Sequence, residues 1–242
     1  MVVSRPVAAV ADECDWPLTT WQAPISPAEL AIGQAAFGAQ NSKVVTGAAF
    51  TDTALLNDPD LDNYRILHFA THGLVTAPRP DCPPRPALVT SFGGAGSDGL
   101  LSFREIFDLN LDADVVLLSA CDTAGAATSA ASREAGIATG GNYALDGLVR
   151  AFVGAGARSV VASHWPVPDS YDATNRLISG LIEAQPGQPI ADALGKAQQA
   201  LMDDTNTSHP FYWAAFIILG DGAKPLVPLS TVAGKPAPTG GR

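Results

Sequence analysis

The chain has 242 residues, 47% of them hydrophobic and 16% charged. That composition excludes a disordered polymer and is enough for one sizeable α/β core or two small ones. The net charge of −10 at pH 7 argues against a nucleic-acid partner, which needs a basic stripe; it either favours basic peptides or simply maintains solubility.

Residues 1–25 contain Pro and Trp without periodicity and read as a lead-in or linker remnant. Their apolar run at 7–11 is too short for a convincing signal peptide. No run of about 18 apolar residues occurs, so no membrane span is expected. Ser26-Pro27-Ala28-Glu29 has capping-box spacing with Pro at the first helical position, predicting a helix to about Phe37 that ends near Gly38. Residues 43–46 are a short strand candidate, and 52–56 a short helix closed by Asp58-Pro59. The first strong strand is 64–70. The following 73–86 carries prolines at 78, 80, 83, 84 and 86 and reads as loop. Residues 87–91 are a short strand, 93–99 a Gly-rich turn, and 102–109 a helix with Ser102 and Glu105 again at capping-box spacing. The second strong strand is 114–119. Residues 122–142 are small, polar and Gly/Ala-rich, a long loop or fraying helix, and a loop that long inside a compact domain is usually functional. An amphipathic helix follows at 143–155, with Leu145, Leu148, Val149 and Phe152 on one face. A third strand at 158–163, helices at 171–184 and 189–202, and a closing strand at 214–219 complete the pattern. The Pro/Gly-rich residues 223–242 read as a disordered tail, leaving 26–222 as the folded domain. Strands alternating with helices predict an α/β protein, a three-layer α/β/α sandwich around a mainly parallel sheet of about six strands.

Two stretches carry reactive side chains. Ile66-Leu67-His68-Phe69-Ala70-Thr71-His72-Gly73 and Val115-Val116-Leu117-Leu118-Ser119-Ala120-Cys121-Asp122-Thr123 each run an apolar strand into small residues. Chemistry in open α/β sheets collects outside the carboxyl ends of the strands. A Cys and a His placed there on neighbouring strands are a nucleophile and its base. Taken singly, each has a blander reading: Cys121 as a buried apolar thiol, His72 as a turn residue. His68 lies four residues before His72, roughly 13 Å along an extended strand, so the two do not share a metal as they would at helical spacing. It reads as packing or hydrogen-bonding support. Cys14, Cys82 and Cys121 include no CxxC pair and are odd in number, which points to a reduced, cytoplasmic setting without disulfides, with Cys82 an exposed bystander thiol. Gly93-Gly94-Ala95-Gly96 lacks the lysine and the strand–loop–helix context of a phosphate loop.

Five blocks taken in order resemble a known family. His68-Phe69-Ala70-Thr71-His72-Gly73 and Leu118-Ser119-Ala120-Cys121-Asp122-Thr123 are similar to the two signature motifs of CHAT domains, caspase-like modules of the clan of caspases, metacaspases, gingipains and separase. The stretch 147–167, ending Ser163-His164-Trp165-Pro166-Val167, resembles the family's third block. Asp169 matches the acidic residue after it, and His209-Pro210-Phe211-Tyr212-Trp213-Ala214-Ala215-Phe216 its closing strand. The match covers about residues 26–220. The resemblance implies a caspase-like sheet, Cys121 as nucleophile, His72 as general base, and the amides of Gly73 and Cys121 as the oxyanion hole, with no metal and no cofactor. Two features depart from the family pattern. Gly140-Gly141 is followed by Asn142-Tyr143 rather than an acidic residue, and no helical repeats accompany the domain here.

The implied activity is a cysteine endopeptidase acting on a protein or peptide substrate, with neither nucleic acid nor membrane as partner. Asp122, Asp169 and Asp172 are candidates to read a basic substrate side chain by charge complementarity, and Trp165 to wall an apolar pocket instead. Each acidic residue has an alternative as an exposed carboxylate or helix cap. His164 is a further site candidate or a packing partner of Trp165. The 122–142 loop is the natural place for control, by an activating protein partner or by cleavage at Arg133. The alternative is a catalytically silent caspase-like signalling or protein-binding module.

Overall fold

The computed structural model describes residues 14–22, 25–74, 77–83, 85–94, 96–119, 143–165 and 170–227. Three parallel strands form its centre: β1 (Ile66–Ala70), β5 (Val115–Ser119) and β6 (Ser159–Ser163). β7 (Phe216–Gly220) closes this sheet antiparallel to β6, giving the order β1-β5-β6-β7. A second sheet of β2 (Gly73–Leu74), β3 (Ala87–Val89) and β4 (Leu100–Ser102) is antiparallel throughout. Among the described residues the mainly parallel sheet has four strands beside a small three-stranded one, instead of one sheet of about six strands.

Alternation along the central strands builds a core on each face. Val116, Leu118, Val160 and Ala162 point one way, against α3 (Phe103–Phe107) and α4 (Tyr143–Gly154). Val115, Leu117 and Val161 point the other way, against α5 (Ala173–Ile182) and α6 (Ile190–Met202). Strands buried on both faces read as unbroken apolar runs rather than alternating ones, which is why they stood out in the sequence. The last of the eight-residue-or-longer helices, α1 (Ala28–Phe37), packs by Ile32 and Phe37 on the α5–α6 side. α2 (Asp52–Leu56) is capped by the Thr51 hydroxyl, and α3 by the reciprocal Ser102–Glu105 box that its sequence predicts. Gly156, at φ 117, turns the chain from α4 into β6; a Cβ there would run into the Leu111 carbonyl.

The register of the parallel strands is held at their N-terminal ends by charge. Asp114, buried, accepts from both Arg65 and Arg158, and Arg158 also pairs with Asp112 at 2.5 Å. Arg65, Asp114 and Arg158 each stand one residue before β1, β5 and β6. One side chain per strand thus locks the starting level of all three.

Several local expectations change. The Ser26–Glu29 capping box does not close: Ser26 Oγ accepts from the Ala28 amide, while the buried Glu29 carboxylate reaches His68 Nε2 at 3.2 Å. Residues 43–46 form no strand. Lys43 is drawn to Asp58 at 2.7 Å and Val44 stays 43% exposed, so the segment stands off the outer edge of β1. The Lys43 ammonium holds the Asp58 carboxyl below its usual range. β4 falls between the expected turn and helix, sharing only Ser102 with the latter, and a short helix, α7 (Pro210–Trp213), precedes β7 with Pro210 at its first position. The expectation for 122–142 lies outside the described residues.

The cysteine reading is overturned. Cys14 and Cys82 form a disulfide, and Cys82 is buried rather than an exposed bystander. Trp21 reinforces the same attachment: its indole N–H donates to the carbonyls of Thr90 and Gly99, and its ring stacks on Phe92. The pairing was hidden because 68 positions separate the two cysteines, and spacing alone does not report proximity. At the other end Pro225 bridges Pro189, and Leu226 is buried in the core of the α5–α6 face. Among the described residues no helix is long and apolar enough to cross a membrane.

Two measurements check this architecture. Denatured but unreduced chain should titrate for one thiol, rising to three on reduction; replacing Cys14 and Cys82 together by Ser should cost about 2–4 kcal/mol in chemical denaturation. Asp114→Ala should cost roughly 1–3 kcal/mol in the same assay, because it strands Arg65 and leaves Arg158 only Asp112, both arginines being partly solvated.

Candidate active site

The parallel register brings the strand ends to one level. Ala70 pairs with Ser119, and Leu118 with Ala162, so Ala70, Ser119 and Ser163 terminate β1, β5 and β6 side by side. Neighbouring strands lie about 4.8 Å apart. His72 stands two residues beyond the end of β1, Cys121 two beyond β5, and Trp165 two beyond β6.

His72 is placed by the small sheet rather than by β1 alone. The Val89 amide donates to the His72 carbonyl at 2.8 Å, and the buried Thr71 hydroxyl donates to the Val89 carbonyl at 2.6 Å. Both residues of the turn are therefore clamped to β3. His72 itself is half-buried. Gly73, buried, opens β2 opposite Leu88. Because the flanking bond runs from Val89 N–H to His72 O, Gly73 and Leu88 are a non-hydrogen-bonded pair of the antiparallel ladder. The Gly73 N–H consequently points away from β3, toward the outer edge of β2. Thr71 and Val89 are positioning residues that sequence reasoning missed; a polar β-branched residue next to a candidate base was the available signal.

His68 takes the supporting role expected of it. Its imidazole pairs with Glu29 inside the protein and joins β1 to α1. Ser119, the last residue of β5, is buried with its hydroxyl lacking a hydrogen-bond partner, a polar atom left over at the strand end.

Beyond β6, the His164 amide donates to the Ala215 carbonyl at 2.8 Å, and the His164 and Trp165 rings lie 6.4 Å apart. The Trp165 indole N–H donates to the Phe211 carbonyl at 3.0 Å, and its ring runs parallel to that of Phe211 within 3°. Asp172 is exposed, at φ 55, and its carboxylate accepts from Asn175 on its own helix. Cys121, Asp122 and Asp169 lie outside the described residues. Of the predicted site residues, His72, Gly73 and Trp165 are described at the carboxyl ends of the strands.

A cavity of about 530 Å³ opens elsewhere, along the outer edge of β1. Its walls include Phe37, Val44, Val45, Leu67 and His68. It is the space that residues 43–46 leave by standing off the sheet, and it lies along the strand rather than beyond its end. Among the described residues no group of His, Cys, Asp and Glu is arranged to hold a metal ion.

The CHAT domain model matches residues 1–221. Tetratricopeptide repeat protein 28 of Mus musculus is 31% identical over 157 residues, a match covering 63% of this chain and 5% of that protein. Tetratricopeptide repeat protein 28 of Homo sapiens is 29% identical over 154 residues with the same two shares. The chain thus spans only a small fraction of the curated relatives it matches. A family match running from the lead-in through β7 settles the family: the chain belongs to the CHAT domain family.

Proposed function

We propose that this chain is a cysteine endopeptidase whose nucleophile is Cys121 and whose general base is His72. The observation that carries the reading is the locked register of β1 and β5, which starts both signature motifs from adjacent, level strand ends. A nucleophile and its base need to come within hydrogen-bonding reach of each other, and neighbouring strands at about 4.8 Å supply a compatible spacing. The clamp on Thr71 and His72 adds the rigidity that a base needs.

In this mechanism the Cys121 thiolate attacks the scissile carbonyl carbon and a C–S bond forms. Negative charge gathers on the carbonyl oxygen, where the N–H groups of Gly73 and Cys121 receive it. The orientation of the Gly73 N–H, unused by β3, suits that role. His72, carrying the thiol proton, gives it to the leaving amine as the C–N bond breaks. Water, deprotonated by His72, then attacks the thioester and releases the acid, and the thiol is restored. The chemistry calls for no metal and no cofactor.

The sheet extends this reading to a caspase-like α/β/α core, in which the antiparallel β2–β4 sheet serves as the mount for the base. Activity is held low until a protein partner or cleavage within 122–142, with Arg133 as the processing point, orders the substrate side. The relatives bear the name of a tetratricopeptide repeat protein, which favours a domain whose substrate is recruited by other segments of a longer chain. The same observation supports a second reading, a protein-binding module that keeps the fold without cleaving.

A peptidyl acyloxymethyl ketone separates the two. It should label Cys121 at one site per chain, be lost in Cys121→Ala, and slow by about 10²-fold or more in His72→Ala, the scale of a general-base contribution. Labelling that is indifferent to His72 removes the dyad and leaves the binding module. Peptide hydrolysis by the intact chain alone should be low and should rise on addition of partner or after cleavage at Arg133; full activity without either contradicts the proposed control.

A further inference from the structure

Beside the end of β6 the surface is aromatic. Trp165 lies against Phe211, Phe211 meets Tyr212 edge-on at 6.4 Å, and Tyr212 meets Tyr171 edge-on at 6.0 Å. Tyr171 is 56% and Phe211 45% exposed. Trp165 and Tyr212 are half-buried against the α5–α6 core, and Tyr171 and Phe211 stand beside them in water; exposed apolar groups that adjoin one another mark an interaction surface more often than single exposed residues do. The four come from three places, the end of β6 (Trp165), the turn before α5 (Tyr171) and α7 (Phe211 and Tyr212), so no single helix face explains their grouping.

Resting on the peptidase reading above, we propose that Trp165, Tyr171, Phe211 and Tyr212 form a subsite that receives an apolar side chain, aromatic or large aliphatic, of the peptide being cleaved. Location is the first argument. Trp165 starts from the strand next to β5, at the level of Ser119 and Ser163, and so stands on the opposite side of the Cys121 strand from His72. A peptide whose scissile bond lies between His72 and Cys121 has the aromatic group within one or two residues of that bond, since an extended chain advances about 3.3 Å per residue.

Chemistry is the second argument. The Trp165 N–H is spent on the Phe211 carbonyl, so the indole offers ring surface rather than a donor. The Asp172 carboxylate beside the shelf is engaged by Asn175, which weakens it as a receptor for a basic side chain. Tyr171 and Asp172 are consecutive non-glycine residues in the left-handed region, at φ 60 and φ 55. Such backbone is strained and persists where surrounding structure imposes it, commonly at ligand clamps. Here it accompanies a turn that carries the Tyr171 ring to the edge of Tyr212.

The test uses the full chain and a positional series of tetrapeptide acyloxymethyl ketones, each position in turn carrying Gly, Leu, Tyr or Lys. At one position Leu and Tyr should label Cys121 about tenfold faster than Gly. Phe211→Ala and Tyr171→Ala, both at exposed positions, should cut that Tyr-to-Gly ratio to about twofold, and Phe211→Leu should restore most of it. Lys outrunning Leu and Tyr at every position, or a ratio unmoved by Phe211→Ala, overturns the apolar subsite while His72-dependent labelling by the all-Gly probe leaves the peptidase reading standing. Loss of His72 dependence with every probe overturns the peptidase reading and the subsite with it.

Discussion

The buried Asp114 carboxylate, shared by Arg65 and Arg158, sets the level from which β1, β5 and β6 all start. A parallel ladder has evenly spaced bonds and permits a slip of one residue, but such a slip turns every side chain to the wrong face. Here the alternation of Val115 and Leu117 against Val116 and Leu118 forbids that slip from within the sheet, and the charge cluster forbids it from the end. Five residues on, the same level reappears as Ala70, Ser119 and Ser163. Whatever the strand ends carry is aligned because the strand beginnings are.

Alignment alone does not fix a side chain beyond the last ladder bond. For His72 the fixing comes from β3, through one backbone bond to the His72 carbonyl and one from the Thr71 hydroxyl. The antiparallel sheet is thus a mount for the turn and not an extension of the central sheet. Its own position is reinforced from the N-terminal side, where Cys14 is bonded to Cys82 in the connection between β2 and β3, and Trp21 donates to Thr90 and Gly99 at the two ends of the β3–β4 connection. The lead-in, the mount and the histidine turn form one mechanical series.

The two sides of the strand-end row differ in character. Toward β2 lie a histidine, a glycine whose N–H is turned away from β3 and a buried threonine; toward β7 lie rings. This polarity suits the proposed peptidase, in which proton transfer would fall on one side and the grip on a side chain on the other. The cavity along β1 lies outside that proposal. That space is lined by strand residues before the end, and its one imidazole, His68, is already engaged by Glu29.

The apolar runs at 115–119 and 159–163 identified two strands from sequence because doubly buried strands cannot hide their composition, and the run at 66–70 identified a third that is only partly buried at the sheet edge. The motif order likewise singled out His72, Gly73, Cys121 and Trp165, since each follows its strand by a fixed count of residues. What sequence could not determine were relations between distant segments. Glu29 sits at capping-box spacing from Ser26, yet its carboxylate goes to His68, 39 positions away. Cys14 and Cys82 looked like unrelated thiols, Lys43 looked like the start of a strand, and the partition into two sheets was invisible. Local patterning reports burial and turn chemistry, which depend on neighbours in the chain. The disulfide, the stand-off of residues 43–46 and the grouping of Tyr171 with Phe211 depend on which surfaces meet in space, and only the packed structure decides that.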